Sequence, residues 1–247
     1  MKYSDKQIDK LLKGIYDGTI TPEDLPIDLY NAISKYLGSG LYDINGTISK
    51  GLIKELSTNL EYFSAAKTYW FTKETSLLTE NEELKSFNDF KEEALKLYDQ
   101  YNINWLEAEY STTIGQAQMC ERWEQIDEQK EKLPFLRYSA IEDANTSEIC
   151  APLDGITLPV DDPFWDSNSP LNHFNCRCTL EQLDEFDAVV TTGSKAEKAS
   201  VDSEELKQPV FNSNPYRDKE IFNKEHPYFD LPKEGKESIL KLVDDGE

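Results

Sequence analysis

The sequence predicts an α+β fold that is predominantly α-helical, with a small Cys-containing β region and an extended C-terminal arm. Apolar residues recur at helical spacing through the first half of the 247 residues, a length that allows a genuine core. Strand-forming residues and turn signals follow between Phe135 and Leu183. From there to Lys207 aromatic residues disappear after Phe186 and charged residues become frequent, which is typical of a linker or an arm.

Capping residues set the expected limits of the first two helices. Ser4 and Gln7 have the spacing of a capping box, and the Asp17-Gly18 pair is expected to end that helix. Thr21 and Pro22 predict the start of a second helix, because proline suits the first helical position.

Three further helices complete the predicted helical base. The expected turn Asn45-Gly46 precedes a long helix whose apolar face runs from Leu52 to Trp70. Ser86, three residues before Asp89, predicts the N-terminus of the next helix. Residues 104–130 are apolar on two helical faces, which predicts a helix at the centre of a bundle. On that helix we expect Gly115 to allow close approach of a neighbour and Cys120 to be a buried thiol.

The pattern changes at residues 133–134, where strand signals replace helical periodicity. Phe135 to Ile141 alternates and is rich in strand formers. Ile156 to Leu158 follows an Asp-Gly turn, and Cys178 to Leu183 has the character of a returning strand. The predicted division is a helical domain of residues 1–132, a mixed β region of residues 133–184, a linker or extended arm of residues 185–215 and a C-terminal segment of residues 216–247.

The charge and the apolar pattern restrict the classes of partner. The net charge of −22 makes free double-stranded nucleic acid an unfavourable partner, because phosphate binding depends on Lys and Arg. The sequence contains no apolar run long enough to span a membrane, and its polar start lacks the character of a signal peptide. It also contains no Gly-rich phosphate loop and no paired-carboxylate signature. We therefore expect no catalytic residues, no membrane partner and no small-molecule substrate.

One of the two histidines and two of the four cysteines lie within the nine residues PLNHFNCRC, from Pro170 to Cys178. With an upstream cysteine they form a pattern of four metal-binding side chains, namely Cys150, His173, Cys176 and Cys178. Zinc prefers four tetrahedral Cys or His ligands, so the number and the type are suitable, although a C-x-C pair is less typical than C-x2-4-C.

Other interpretations of the same four residues stay open at this stage. The cysteines could be small buried apolar groups, or Cys150 could pair with Cys176 or Cys178 in a disulfide. A nucleophilic Cys176 activated by His173 is the sharper alternative, but such pairs are usually assembled from distant segments of the chain.

Several segments of the sequence resemble one family. CAPLDGITLPVDDPFW, from Cys150 to Trp165, and NCRC, from Asn175 to Cys178, are similar to the signature of the Mu F-like phage minor head proteins, also called phage head morphogenesis proteins. The helix from Asn104 to Ile126 resembles the segment that precedes the signature in that family. IFNKEHPYF, from Ile221 to Phe229, is similar to a motif that closes many of its longer members.

The resemblance implies a structural function. Members of the family are minor components of tailed-phage heads that associate with the portal during procapsid assembly. The expected partners are thus the portal protein and the major capsid protein. Contact with packaged DNA is compatible with this expectation. The expected location is the virion, in the head interior or at the portal vertex, and the host cytoplasm during assembly.

The resemblance also bears on the metal site and on an alternative function. Ser147 stands where some members have a further cysteine, so one structural zinc ion would need His173 or another group to complete its ligands. Mu F-like regions also occur in bacterial toxins, joined to a toxic domain. A toxin or effector with nuclease-type activity is therefore the alternative, although only Arg217 and His226 stand out as isolated candidates after Leu183.

Overall fold

The computed structural model describes residues 3–44, 47–80, 86–141, 143 and 146–244, so the predicted turn at Asn45-Gly46 lies outside the described residues. The α-helices and strands are α1 (Asp5–Tyr16), α2 (Ile27–Ser39), α3 (Lys50–Leu77), α4 (Phe87–Asp99), α5 (Leu106–Gln129), β1 (Phe135–Ser139), β2 (Thr157–Pro159), α6 (Phe164–Asn168), β3 (Thr179–Leu183), α7 (Gly193–Glu204), α8 (Pro215–Asp218) and α9 (Lys233–Asp244). The predicted α+β class with a mainly helical content is confirmed.

The chain divides into two compact units, each made of separate segments. Unit 1 comprises Met1–Gly40, Ser57–Tyr110 and Pro227–Glu247, and unit 2 comprises Leu41–Leu56 and Ser111–His226. Each unit combines segments from more than one of the predicted domains. The predicted domain boundaries stay a prediction.

The capping predictions for unit 1 are correct at two helices and wrong at one. Ser4 and Gln7 form the complete capping box of α1, and the Ser86 hydroxyl accepts from the Asp89 N–H at the start of α4. Thr21 does not start a helix. Its hydroxyl accepts from the N–H groups of Glu23 and Asp24 in a turn, and α2 begins only at Ile27, after Pro26.

The core of unit 1 contains a buried lysine on α3. Lys67 is 0% exposed, and its ammonium group lies over the rings of Tyr101 and Tyr228. Its ammonium group pairs with the carboxylate of Glu109 at 2.9 Å. It also donates to the hydroxyl of Tyr228, which lies in the C-terminal motif, at 3.1 Å. A charged side chain without water needs such partners.

A three-stranded antiparallel sheet in the order β2-β1-β3 is the centre of unit 2. Leu136 of β1 lies opposite Leu158 of β2 and opposite Gln182 of β3. The alternation in β1 buries Leu136 and Tyr138 on one face, as the sequence pattern predicts. The three predicted strands are present within one or two residues of their expected limits.

The segment predicted as an extended arm is partly helical. Residues 193–204 form α7, and its Ala196 and Ala199 are buried in the core of unit 2. Two alanines three residues apart form a helix face of small side chains. A sequence search for large apolar residues does not detect this face, but the small side chains allow the helix to pack closely against the core.

Within the described ranges, no helix combines the length and the apolar composition needed to cross a bilayer.

Candidate metal centre

Cys150 is held by the turn that carries the LDG sequence. Its N–H donates to the carbonyl of Ser147 at 3.0 Å, and a single 3-10 turn, Ala151–Leu153, follows. Asp154 then accepts from the Ala140 N–H at 2.8 Å. Gly155 has a φ of +71°, which favours glycine, and its N–H donates to the Tyr138 carbonyl. The LDG turn therefore fixes Cys150 beside strand β1.

A second turn brings His173 and Cys176 together. The N–H of Cys176 donates to the carbonyl of His173 at 3.2 Å, which closes a four-residue turn. Asn175 within it has a φ of +60°, a conformation that asparagine adopts more easily than most residues. The local sequence HFNC thus aims an imidazole and a thiol at the same region.

The structure brings three of the four predicted ligands into one cluster. The ligand atoms of Cys150, His173 and Cys176 all lie within 4.8 Å of one another. The sulfur atoms of Cys150 and Cys176 are 3.8 Å apart, and all four cysteines of the chain are free thiols. Cys178 lies outside this mutually close set, but it lines the same small cleft as Cys150 and His173.

Hydrogen bonds among the sulfur atoms polarise the cluster. The hydrogen bond with Cys150, and next the neighbouring Cys178 thiol, lower the pKa of the Cys176 thiol, while the bond with Cys176 raises the pKa of Cys150. The Nδ1 atom of His173 lies 2.8 Å from the Phe174 carbonyl. Because a carbonyl only accepts, Nδ1 is the donor of this bond, and the tautomer that fits it has its lone pair on Nε2, the atom that would bind a metal ion.

The surroundings suit an ion better than a substrate. Cys150 and Cys176 are buried, and a cleft of about 30 Å³ opens beside Cys150, His173 and Cys178. That volume holds an ion or a water molecule but not an organic substrate. Chemically, a group of two or three sulfur atoms and one imidazole nitrogen is a site for a soft or borderline metal ion.

The DPFW sequence stabilises the loop between Cys150 and His173. Asp162 accepts from the Phe164 N–H at 2.9 Å and so starts α6. The fully buried Trp165 donates its indole N–H to the Pro159 carbonyl at 2.9 Å. From α5, Trp123 donates to the hydroxyl of Ser169 at 2.9 Å. Side-chain hydrogen bonds within the loop, together with one from α5, therefore hold its irregular backbone in place.

Residues singled out for other reasons lie outside the cluster. Cys120 is a fully buried thiol on α5, as expected, and burial raises its pKa to about 12. Arg217 pairs with Asp166, donates to the Val160 carbonyl and lies over the ring of Trp123. His226 is buried with its ring against Phe222. Arg217 and His226 thus have separate packing contacts, and no contact within the described residues brings the two together in one site.

Sequence reasoning missed three residues that contact this region. The hydroxyl of Tyr138 donates to the sulfur of Cys150 at 3.4 Å, and Asn172 donates to that hydroxyl. Lys207 lies next to Asn172. The alternation of β1 places Tyr138 on the buried face, but no local pattern connects it to a lysine 69 positions later in the sequence.

Comparisons with known proteins point to one family. The family model described as "Phage Mu protein F like protein" matches residues 44–181. The "Mu-like prophage FluMu F protein" of Haemophilus influenzae is 36% identical over 84 residues, which are 34% of this chain. The chain spans only about a fifth of the length of that relative, since the matched part is 19% of it. No solved structure matches this chain significantly.

Proposed function

The chain belongs to the Phage Mu protein F like family, and from this we propose that it is a structural minor head protein of a tailed phage or prophage. The observation that carries the proposal is the family match, which covers more than half of the chain and includes all four predicted metal ligands. In this role the protein docks on the portal or the capsid interior during head assembly, and it contributes to DNA packaging or ejection without a catalytic step.

The cysteine cluster supports a structural zinc ion as part of this proposal. Cys150, His173 and Cys176 would hold the ion, and Cys178, which lines the same cleft, is the candidate for the fourth ligand. A zinc ion there would close the 26-residue separation between Cys150 and Cys176, most of which is irregular backbone. Its contribution would be to folding, because the cleft that Cys150 shares with His173 is too small for an organic substrate.

The metal proposal is tested on the purified protein. Elemental mass spectrometry should find one zinc ion per chain, and chelation should release thiols that were unreactive before it. Absence of metal together with four thiols that react under denaturing conditions without a chelator would leave the cluster as packing and would remove the ion from the proposal.

An ordered loop after β3 supports docking on a partner protein. Phe186 is 95% exposed and Val189 is 85% exposed. The carboxylate of Asp184 accepts from the N–H groups of residues 186 and 187, each at 2.9 Å, so the loop has a defined shape. Thr191 also pairs with Thr157 of β2 through hydrogen bonds of 2.8 and 2.9 Å. We propose that this loop, residues 184–190, inserts its apolar side chains into a pocket of the portal protein.

The charge of the loop defines the expected chemistry of that pocket. Glu185 and Asp187 flank Phe186 and are exposed. A pocket that accepts the loop should therefore be apolar at its base and basic at its rim, because acidic side chains steer association with a basic surface. The net charge of −22 disfavours a second copy of this chain as the occupant, since like charges repel.

The docking proposal is tested with the purified portal protein of the same phage or prophage. We expect the F186S/V189S double variant to bind the portal at least about tenfold more weakly than the unchanged protein. The matched control, I141S/V201S, removes two half-exposed apolar side chains elsewhere in unit 2 and should bind normally. If the unchanged protein does not bind the portal, docking is wrong; if both double variants bind normally, only the loop is wrong.

A further inference from the structure

Unit 2 contains a buried lysine close to the cysteine cluster. Lys207 is 6% exposed. Its ammonium group donates to the backbone carbonyl of Ser167 and to the side-chain oxygen of Asn172, the latter at 3.2 Å. A lysine is rarely buried without a negatively charged partner. The charge of Glu204 acts on Lys207, but neither of its hydrogen-bond acceptors carries a charge.

A chain of hydrogen bonds leads from this lysine to the sulfur atoms. The amide of Asn172 donates to the hydroxyl of Tyr138 at 3.0 Å, and this hydroxyl donates to the sulfur of Cys150 at 3.4 Å. The sulfur of Cys150 lies 3.8 Å from that of Cys176. Asn172, Tyr138 and Cys150 are all buried, so water does not compete for these bonds.

The direction of every bond in this chain is determined by the chemistry of its groups. An ammonium group only donates, so the Asn172 amide must turn its oxygen toward Lys207 and its NH2 toward Tyr138. The tyrosine oxygen then accepts from Asn172, and its hydrogen is free to point at Cys150. The donors therefore point from the cation toward the sulfur, which is the arrangement that stabilises negative charge there.

A site that holds a zinc ion would have a net negative charge and would be stabilised by a cation nearby. Three thiolates and one neutral imidazole around a divalent ion carry a net charge of −1. Burial of a net charge is costly unless a partner of opposite sign accompanies it. Lys207 supplies one positive charge, and its hydrogen bond to Asn172 leads to the cluster.

We propose that Lys207, Asn172 and Tyr138 form a relay that positions Cys150 as a thiolate ligand and balances the charge of the loaded metal centre. We call these three residues the Lys207 relay. The inference rests on the metal site of the proposed function and names the residues that stabilise it. It also links residue 207, just after α7, to the metal centre, so that metal binding and the packing of this segment favour each other.

The test is zinc affinity, measured with Zn²⁺ alone against a chromophoric chelator. K207M keeps the aliphatic stem and removes the charge, and Y138F removes only the hydroxyl group. Each variant should bind zinc about 10- to 100-fold more weakly than the unchanged protein, which is the usual effect of removing a group that supports a metal ligand. K198M is the matched control, because Lys198 is an exposed lysine of α7 paired with Asp202. Its affinity should be unchanged.

The outcomes separate this inference from the proposals on which it rests. A purely structural role of Lys207 or Tyr138 would lower the melting temperature of the metal-free protein and leave the zinc affinity of the folded form within twofold, which would overturn the relay. If K207M does not fold, Y138F decides the question alone. If the unchanged protein binds no zinc, the metal site and the relay are both wrong, while binding to the portal remains a separate test of the head-protein function.

Discussion

Each unit of the molecule buries a polar cluster, and the two clusters differ in how their charges are satisfied. In unit 1, Lys67 donates to the Glu109 carboxylate at 2.9 Å and to the Tyr228 hydroxyl at 3.1 Å. Cation and anion thus compensate each other's charge within the chain. In unit 2, Cys150, His173 and Cys176 bring together two sulfur atoms and one imidazole nitrogen, all of which can bind a cation.

The difference shows which buried group is complete within the chain. Burial lowers the pKa of Lys67 and raises that of Glu109, and the attraction between the two opposes both shifts, so the pair is balanced without a ligand. The atoms of the sulfur cluster, by contrast, are close enough together to hold a cation. The polar cluster of unit 1 is therefore an internal ion pair, whereas that of unit 2 has the chemistry of a candidate binding site.

The largest expected effect is the loss of a metal ligand in unit 2. Cys176→Ala should lower the free energy of unfolding by about 5 kcal/mol or more, and the melting temperature by about 10 °C or more, because the metal contribution to folding is lost. Calorimetry with and without a chelator measures this. Cys120→Ala is the matched control, a buried thiol outside the cluster, and should cost about 1 kcal/mol. Equal chelator sensitivity in Cys176→Ala and the unchanged protein would contradict the assignment.

The next effect is the loss of the lysine in unit 1. Lys67→Met leaves the Glu109 carboxylate buried without its cation, which should cost about 3–5 kcal/mol. Denaturant unfolding measures the loss, and a chelator should destabilise this variant as much as it does the unchanged protein. The double variant K67M/E109L should recover most of the stability, because it removes both charges. A double variant as unstable as Lys67→Met would show that the pair does more than compensate charge.

The third effect is a pH dependence that Lys207 brings to the metal-free protein. Burial lowers the pKa of Lys207 to about 8, against the opposing effects of Glu204 and Cys150. The folded state therefore releases this proton at lower pH than the unfolded state, whose lysine pKa is about 10.4. Between these two values the unfolded state holds more protons, so stability should rise with pH, by on the order of 3 kcal/mol in total.

Lys207→Met removes this term and allows its measurement. The stability difference between the variant and the unchanged protein should shift in favour of the unchanged protein as the pH rises from about 8 to about 10.4. Chelated samples of both proteins, unfolded with urea across this range, provide the comparison. The cysteines titrate in both proteins and largely cancel. A difference that is constant with pH would mean that Lys207 has an ordinary pKa.

The sequence predicts much of unit 2, because its signals are local. Turn and strand signals place β1, β2 and β3 within one or two residues, and the spacing of Cys150, His173 and Cys176 identifies three side chains that the fold brings together. The Lys207 relay was not predictable in the same way. Its contacts join residues 34 and 35 positions apart in the sequence, and no local pattern around Lys207 or Tyr138 indicates that the two are connected.

Unit 1 shows the opposite balance. Its helices follow from capping and periodicity, apart from α2, where a turn at Thr21 replaces the expected helix start. Lys67 lies on the predicted apolar helix, yet its charge gives no reason to expect full burial. Its partners Glu109 and Tyr228 are 42 and 161 positions away, so only the packed structure reveals the cluster.

The smallest effects come from two glycines, one in each unit, that hold close contacts. A Cβ at Gly115 would lie 2.5 Å from Cδ1 of Leu171, two residues before His173, and a Cβ at Gly235 would lie 2.8 Å from Cζ of Tyr69. Both Gly→Ala variants should cost about 1–3 kcal/mol, because buried side chains must shift. Gly115→Ala should also weaken zinc binding, since the displaced Leu171 belongs to the loop that carries His173. Gly235→Ala should leave zinc binding unchanged, and Gly38→Ala, where a Cβ meets no atom within 4 Å, should be neutral or slightly stabilising. Equal zinc affinities in all three variants would mean that the ligand loop keeps its geometry without close packing on α5, and that hydrogen bonds alone position His173.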